Sequence, residues 1–214
     1  MTSLNKVFTV SEFIKSDLLK HGFAPQQIEV IYPAIPTPLA NVGKEYLNLS
    51  VTEKQKHKRR IYNIYNISDP YIFYLGGLEA NKNVKAVLQS FAEIKDKFPE
   101  LKLVIGGGEF KLGWDHKAIP KNERAQNLIQ LAKDLKVIHD LRFTGFIDTD
   151  HLPVIYDNAV FFTHLSQAEG FGINVIEPQF FETPVIAADT DVYQEVLGES
   201  AKLVPPQNTS LVAK

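Results

Sequence analysis

Two glutamates eight positions apart, Glu169 and Glu177, bracket the stretch Glu169-Gly170-Phe171-Gly172-Ile173-Asn174-Val175-Ile176-Glu177. A strand-like apolar run, Val160-Phe161-Phe162-Thr163, precedes it, and another, Pro184-Val185-Ile186-Ala187-Ala188, follows. The pattern is strand, glycine turn, short helix, strand. In an open α/β sheet the loop at the carboxyl end of a strand is where ligands bind. Glycines there let backbone N–H groups approach a ligand, and a helix N-terminus favours anions. A carboxylate on such a turn can hold a ligand hydroxyl. Spacing alone leaves other readings open. Asn174 and Glu177 also fit a capping box, and two carboxylates fit a glycosidase pair or a metal site. His151 and His164 lie nearby without metal-ligand spacing, and read as satisfied or exposed histidines.

Lys82 is the cation of most interest, six residues after Gly76 in Gly76-Gly77-Leu78-Glu79-Ala80-Asn81-Lys82-Asn83. A lysine at the mouth of a strand can meet a diphosphate as a point charge, or simply stand in solvent near a helix start. Glycines or small polar residues close almost every strand-like run, the glycines at Gly76-Gly77, Gly106-Gly107-Gly108, Gly145 and Gly170-Phe171-Gly172. Four such turns on one sheet edge point to a nucleotide cleft. None is a Walker loop, and the Gly106 turn is not a dinucleotide fingerprint, since Glu109 follows directly.

The elements that must position these groups come next. From Tyr71 onward, strand-like runs near 71–75, 101–105, 141–144, 160–163, 184–188 and 201–204 alternate with amphipathic helical patterns. Each connection is long enough for a crossover, so the spacing predicts an α/β fold with a doubly wound parallel sheet of about six strands. Residues 109–121, with Trp114 and Pro120, read as a long loop. Upstream, a strand at 7–10, a helix capped by Ser11 and carrying an apolar face of Phe13, Ile14, Leu18 and Leu19, and a strand at 28–32 lead into Pro33, Pro36 and Pro38, which read as a linker. We therefore expect a junction rather than a core over 1–40, the tail of something else, then a helical connector over 41–70 and a ligand-binding domain over 71–214 whose final residues start a truncated helix. The basic run Lys54, Lys56, His57, Lys58, Arg59, Arg60 reads as a solvated helix face, with a phosphate, membrane or partner contact as the alternative.

Bulk composition narrows the classes. The 214 residues suffice for one α/β domain, or one domain plus an appendage. A formal net charge of −2 gives no global field toward nucleic acid or anionic membrane. The absence of cysteine excludes disulfides and thiolate chemistry. No apolar run approaches a membrane span and no signal peptide is visible, so the expected location is cytoplasmic.

The motifs in order resemble glycosyltransferase family 4, the group 1 retaining enzymes of the GT-B fold, in their C-terminal donor-binding half. Val10-Ser11-Glu12-Phe13-Ile14-Lys15 with Ile28-Glu29-Val30-Ile31-Tyr32 resembles the family's lead-in to its second domain. Tyr74 to Asn83 resembles its lysine-bearing glycine loop. Leu103 to Gly108 and Phe143-Thr144-Gly145-Phe146-Ile147 resemble its next two strand ends. Glu169 to Glu177 resembles the E-x7-E signature, and Thr183-Pro184-Val185-Ile186-Ala187 the segment after it.

The resemblance implies transfer of a sugar from a UDP- or GDP-sugar, with retention, to a saccharide or lipid-linked acceptor. Lys82 would bind the diphosphate, Glu177 the ribose hydroxyls, and Glu169 would lie near the donor sugar. Gly76, Gly77 and Gly107 would let the backbone approach the donor. Gly170, Phe171, Gly172 and Ile173 would face sugar and phosphate, and Phe146 and Ile147 the base. No cofactor or metal is expected, and no nucleic-acid partner. The partners implied are the nucleotide-sugar and a missing N-terminal acceptor domain, with peripheral membrane association of the full enzyme allowed. The fragment alone is expected to be inactive. Gly77 stands where the family has arginine, so a substitute cation is expected, with Lys111 and Lys117 as candidates. Asp191 stands where small residues usually meet the sugar, and Glu182 replaces a glycine. Pro178 disfavours helical geometry at Glu177. A nucleotide-binding module without catalysis and an α/β scaffold are the alternatives.

Overall fold

The computed structural model describes residues 6–113 and 115–207. The chain opens with β1 (Val7–Thr9), α1 (Glu12–Lys20) and β2 (Ile28–Val30), whose two strands pair in parallel. Two helices follow, α2 (Thr37–Leu47) and α3 (Val51–Tyr65). Then come β3 (Tyr71–Leu75), α4 (Val84–Lys95), β4 (Lys102–Gly106), β5 (Phe110–Leu112), β6 (Ala118–Pro120), α5 (Glu123–Asp134) and β7 (Leu141–Gly145). The last stretch holds α6 (Leu152–Asp157), β8 (Phe161–His164), α7 (Ile173–Ile176), β9 (Val185–Ala188), α8 (Asp191–Leu197) and β10 (Lys202–Val204).

Six of these strands form one parallel sheet in the order β10-β9-β8-β3-β4-β7, as the alternation of strands and helices predicts. The chain runs outward from β3 to β7, then returns to the other side of β3 and runs outward again to β10. The direction reverses between β3 and β8. In a doubly wound sheet the crevice outside the strand ends at that reversal is the ligand site.

The continuous apolar run of β3 follows from burial on both sheet faces. Tyr71 and Phe73 enter a core with α2, α3, α6 and α8, while Ile72 and Tyr74 enter a core with α4 and α5. Leu39, Tyr46, Ile61 and Tyr65 belong to the first of these cores, so the stretch read as a connector packs directly beneath the sheet. Pro38 sits in the first turn of α2, where its missing N–H costs nothing, and the proline cluster thus ends in a helix rather than a linker. Within the basic run, Lys58 pairs with Asp69, and Lys54 lies over the Tyr46 ring at 4.9 Å.

Two further expectations change. Much of 109–121 is not an irregular loop but an antiparallel hairpin, with Phe110 opposite Pro120 and Leu112 opposite Ala118. Phe110 anchors it, buried against Phe143 at 4.2 Å between ring centroids. The apolar face of α1 is not a core face: no residue of α1 is buried, and Phe13 and Leu19 are exposed. The helix start read at the extreme C-terminus, and Trp114, lie outside the described residues.

Candidate functional site

The loops after β3 and β8 meet at the reversal point and are tied together by their own backbones. Gln167 N donates to Asn81 O at 2.7 Å, Ser166 Oγ donates to the same carbonyl at 2.9 Å, and Asn81 Nδ2 donates to Ala168 O at 3.1 Å. This brings Lys82 to Glu169, Nζ to Oε1 2.6 Å, with both side chains largely shielded from solvent. Two groups 87 residues apart in sequence, each singled out from it, therefore form one ion pair. They line a cleft of about 330 Å³ with Pro33, His164, Phe171, Gly172, Ile173 and Asn174.

The glycines play different parts. At Gly107 an added Cβ would collide with the Gly76 carbonyl, so the turns after β3 and β4 approach each other only because that side chain is absent. Gly172 has φ +82°, and its Cβ would collide with the Tyr193 ring. It is the residue before α7, and its left-handed geometry turns the chain from the loop into the helix. At Gly77 a Cβ would meet the Glu79 carboxylate, and the Gly77 carbonyl accepts from Tyr74 Oη at 2.7 Å. Gly170 accepts at its carbonyl from Ser11 Oγ at 2.7 Å.

The capping-box reading of Glu177 does not hold. Asn174 donates through Nδ2 to Leu75 O at 3.1 Å, pinning α7 to the end of β3. Glu177 is buried and accepts from Tyr156 Oη at 2.8 Å. Its backbone is helical, φ −58° and ψ −48°, despite the following proline. The helix tightens into a 3-10 turn over Pro178–Phe181, where the proline needs no N–H partner, and the expected displacement of Glu177 is absent. Burial pushes the Glu177 carboxyl above its ordinary pKa, and the Tyr156 hydroxyl pulls it partly back.

The remaining expected residues divide. Phe146 is exposed at the end of β7, whereas Ile147 is buried beside Gly106. Lys117 pairs with Asp115 at 2.9 Å and its side chain is exposed; Lys111 is exposed on β5. Arg124 reaches the carboxylate that stands beside Gly77, 3.6 Å from Glu79, and lies 3.7 Å from Glu109. Asp191 opens α8. His151, 2.8 Å from the Tyr65 hydroxyl, is a satisfied histidine as expected. His164 is not fully satisfied: Nδ1 meets Tyr193 Oη at 2.8 Å, but Nε2 is buried without a partner among the described residues. Sequence reasoning missed Tyr156, Tyr193, Asn81 and the cleft position of His164; the last sits at a strand's carboxyl end, a signal that was there to use. Among the described residues no three His, Cys, Asp or Glu side chains converge as a metal site would require.

The β1–α1–β2 unit docks onto the far side of the same loop. Glu195 of α8 accepts from Glu12 N at 2.7 Å and Phe13 N at 2.9 Å, and Ser11 Oγ accepts from Ile14 N at 3.1 Å. Three otherwise orphaned N–H groups of α1 are thus satisfied. Tyr32 Oη also donates to Glu195 at 2.8 Å, and its ring stands 6.1 Å from that of Phe171. Among the described residues no helix is long and apolar enough to cross a membrane.

Comparison with known proteins agrees with this architecture. The sequence profile described as "Glycosyl transferases group 1" matches residues 54–214. O-antigen chain mannosyltransferase B of Escherichia coli is 24% identical over 221 residues, covering 100% of this chain and 51% of that protein. O-antigen chain mannosyltransferase RfbU of Salmonella typhimurium is 28% identical, covering 94% of this chain and 47% of that protein. The chain thus spans about half the length of these curated relatives. Among solved structures, a glycosyltransferase from Rickettsia africae superposes with TM-score 0.78 at 20% identity over 98% of this chain and 51% of its own. Anabaena HepE in complex with UDP-glucose superposes with TM-score 0.74 at 18% identity, over 98% of this chain and 52% of its own.

Proposed function

From membership of the group 1 glycosyl transferases, the family to which this chain belongs, we propose that it is the donor-binding half of a retaining glycosyltransferase using a nucleotide-sugar, UDP- or GDP-linked. The observation that carries this reading is the cleft at the sheet reversal, where Lys82 and Glu169 meet and Glu177 lies buried on the helix that follows. Each residue then has a task. Lys82 exchanges Glu169 for the donor diphosphate and neutralises charge as the sugar–oxygen bond breaks and the diphosphate leaves. Glu177 accepts hydrogen bonds from the ribose hydroxyls through the oxygen that Tyr156 does not occupy. Glu169, released from Lys82, faces the donor sugar. Backbone groups of Gly170, Phe171, Gly172 and Ile173 line the sugar and phosphate, and exposed Phe146 lies beside the base. The acceptor hydroxyl attacks the anomeric carbon and its proton leaves with the diphosphate. No metal enters this scheme.

The acceptor, a saccharide or a lipid-linked one, is held by a second domain that we place against β1 and β2. Parallel strands are normally covered on both faces and come in larger sheets. This pair has two strands and exposes Phe8 and Ile31, which supports its being the edge of a sheet that another domain completes. On this reading the chain alone does not transfer sugar, and the full enzyme works in the cytoplasm, touching the membrane peripherally when its acceptor is a lipid. A second reading, a nucleotide-binding module without turnover, is favoured by Gly77, which offers no cation to the diphosphate. Titration with UDP, GDP and ADP tests the site: binding of at least one, abolished by Glu177→Lys, is expected, and unchanged affinity in that variant would refute the ribose assignment. Turnover of a nucleotide-sugar after joining an acceptor domain separates the two readings.

A further inference from the structure

The floor of the cleft holds a group that neither the ion pair nor Glu177 explains. His164 ends β8 and is 1% exposed. Its ring stacks on Tyr74, with centroids 5.5 Å apart and planes at 3°, and lies nearly parallel to Phe162 at 6.3 Å. Nδ1 is 2.8 Å from Tyr193 Oη. Nε2 has no partner among the described residues, yet the side chain lines the cleft with Lys82 and Glu169. A buried polar nitrogen without a partner is destabilising, and a phenylalanine would fill this aromatic slot without that cost. The nitrogen is therefore explained by something that enters the cleft.

The chemistry of that group follows from its neighbours. Burial raises the Tyr193 phenol well above its ordinary pKa, so it remains a hydroxyl, able to donate to Nδ1. Burial also lowers the imidazole to about 4, with Glu169 pulling upward and Lys82 downward. Tyr74 from β3 and Tyr193 from α8 are the other titratable groups packed against the ring, and both are uncharged. A neutral imidazole that accepts at Nδ1 carries its hydrogen on Nε2. In that tautomer His164 offers an uncharged N–H donor beside the lysine of the cleft.

Resting on the donor-site reading above, we propose that His164 Nε2–H donates a hydrogen bond to a non-bridging oxygen of the donor diphosphate, with Tyr193 as the positioning residue that holds the required tautomer. The diphosphate is favoured over a sugar hydroxyl because Lys82 in the same cleft offers a charge for the same anion, and Gly77 leaves that anion short of donors. A neutral donor contributes a directed bond without the desolvation that a second buried cation would carry.

The test uses the chain labelled with 15N-histidine, with the His164 signals identified by their loss in His164→Gln. Long-range 1H–15N correlations are expected to show the Nε2–H tautomer in the free protein. Adding inorganic pyrophosphate, UDP or GDP should shift Nε2, while uridine and free hexoses should not. His164→Phe should weaken UDP or GDP binding by roughly 10-fold or more, and His164→Gln, which keeps an N–H donor, should recover most of the loss. Tyr193→Phe should mix the tautomers and weaken binding by a smaller factor. An Nδ1–H tautomer, a shift produced by the sugar or nucleoside alone, or undiminished diphosphate affinity in His164→Phe would each overturn the proposal while leaving the donor site standing. No binding of any nucleoside diphosphate by the unmodified chain, with Lys82→Ala equally inert to pyrophosphate, would instead overturn the donor-site reading and this inference with it. If His164→Phe fails to fold, the tautomer and the shift in the unmodified protein still decide.

Discussion

Replacing Glu177 by glutamine pits ligand binding against stability, and the structure gives the sign of each. The carboxylate is buried with one hydrogen-bond donor, Tyr156 Oη at 2.8 Å, so its charge is only partly compensated in the empty protein. Its pKa is raised by burial. A carboxyl raised on folding favours the folded state below its unfolded pKa, and that favour is lost as pH rises through the folded value. Near neutrality the charged form is therefore a burden that glutamine removes, while the amide oxygen still accepts from Tyr156. We expect Glu177→Gln to stabilise the ligand-free chain by about 1 kcal/mol, roughly 2–4 °C in Tm for a domain of this size. On the proposed ribose role, the same change replaces a charged acceptor for the ribose hydroxyls by a neutral one. A charge-assisted bond contributes roughly 1.5–3 kcal/mol and a neutral one roughly 0.5–1.5, a difference of about 1–1.5 kcal/mol, so affinity for UDP or GDP should fall about 5–12-fold. Thermal melts from pH 4 to 8, together with calorimetric titration of UDP and 2′,3′-dideoxy-UDP, measure both. The two proteins should converge in stability at the acid end, and the dideoxy ligand should bind both alike. A Tm lowered at neutral pH with ribonucleotide affinity intact would refute the assignment of Glu177 as a ligand group held at a structural cost.

Other perturbations have equally definite outcomes. Lys82→Ala should weaken nucleoside diphosphate binding by roughly 10–100-fold and leave nucleoside binding unchanged, as read by calorimetry. Gly107→Ala should push apart the turns after β3 and β4, because its Cβ meets the Gly76 carbonyl; a loss of about 1–3 kcal/mol in urea unfolding is expected. Glu195→Ala removes the acceptor for two N–H groups of α1 and should lower its local stability by roughly 1–2 kcal/mol, seen as faster amide exchange in α1 with α4 unaffected. Glu195 also gives that docking a pH dependence. Burial raises its pKa, but the Glu12 and Phe13 N–H groups and the Tyr32 hydroxyl outweigh it and hold the carboxyl below its ordinary range. The α1 protection should therefore persist above the unfolded carboxylate pKa and fade as pH falls through the lowered one.

The six-strand sheet was legible because burial on both faces makes its strands rich in apolar runs, unbroken in Tyr71–Leu75, and glycines end β3, β4 and β7. The hairpin β5–β6 was not, since strands of three residues, one ending in Pro120, are too short to display a period of two. The α1 face misled for another reason: Phe13 and Leu19 repeat at helical spacing, but both stay more than a third exposed. At the site, Lys82 and Glu169 could be picked out by type and position, and their contact is what the sheet reversal adds. Glu177 looked like a helix cap because Asn174 stands three residues before it; Tyr156, whose hydroxyl it accepts, comes from α6 and leaves no local trace. His164 was passed over because a lone histidine carries no spacing, and its unpartnered nitrogen is visible only in three dimensions.

The bond from Ser11 Oγ to the Gly170 carbonyl bears on how halves of such proteins can be recombined. If this chain is the donor half, the proline-rich stretch around residues 33–38 is the natural-looking place to splice a foreign second half onto it. A splice there would exchange Ser11, Tyr32 and Pro33 for a stranger's residues. Gly170 would lose its donor, Phe171 its aromatic neighbour and Glu195 all three of its partners, so the donor loop would be grafted without its brace. On the donor-half reading, chimeras joined ahead of Val7 would keep the loop and its support as one transferable module, and that boundary, rather than the prolines, is where a second domain would be exchanged.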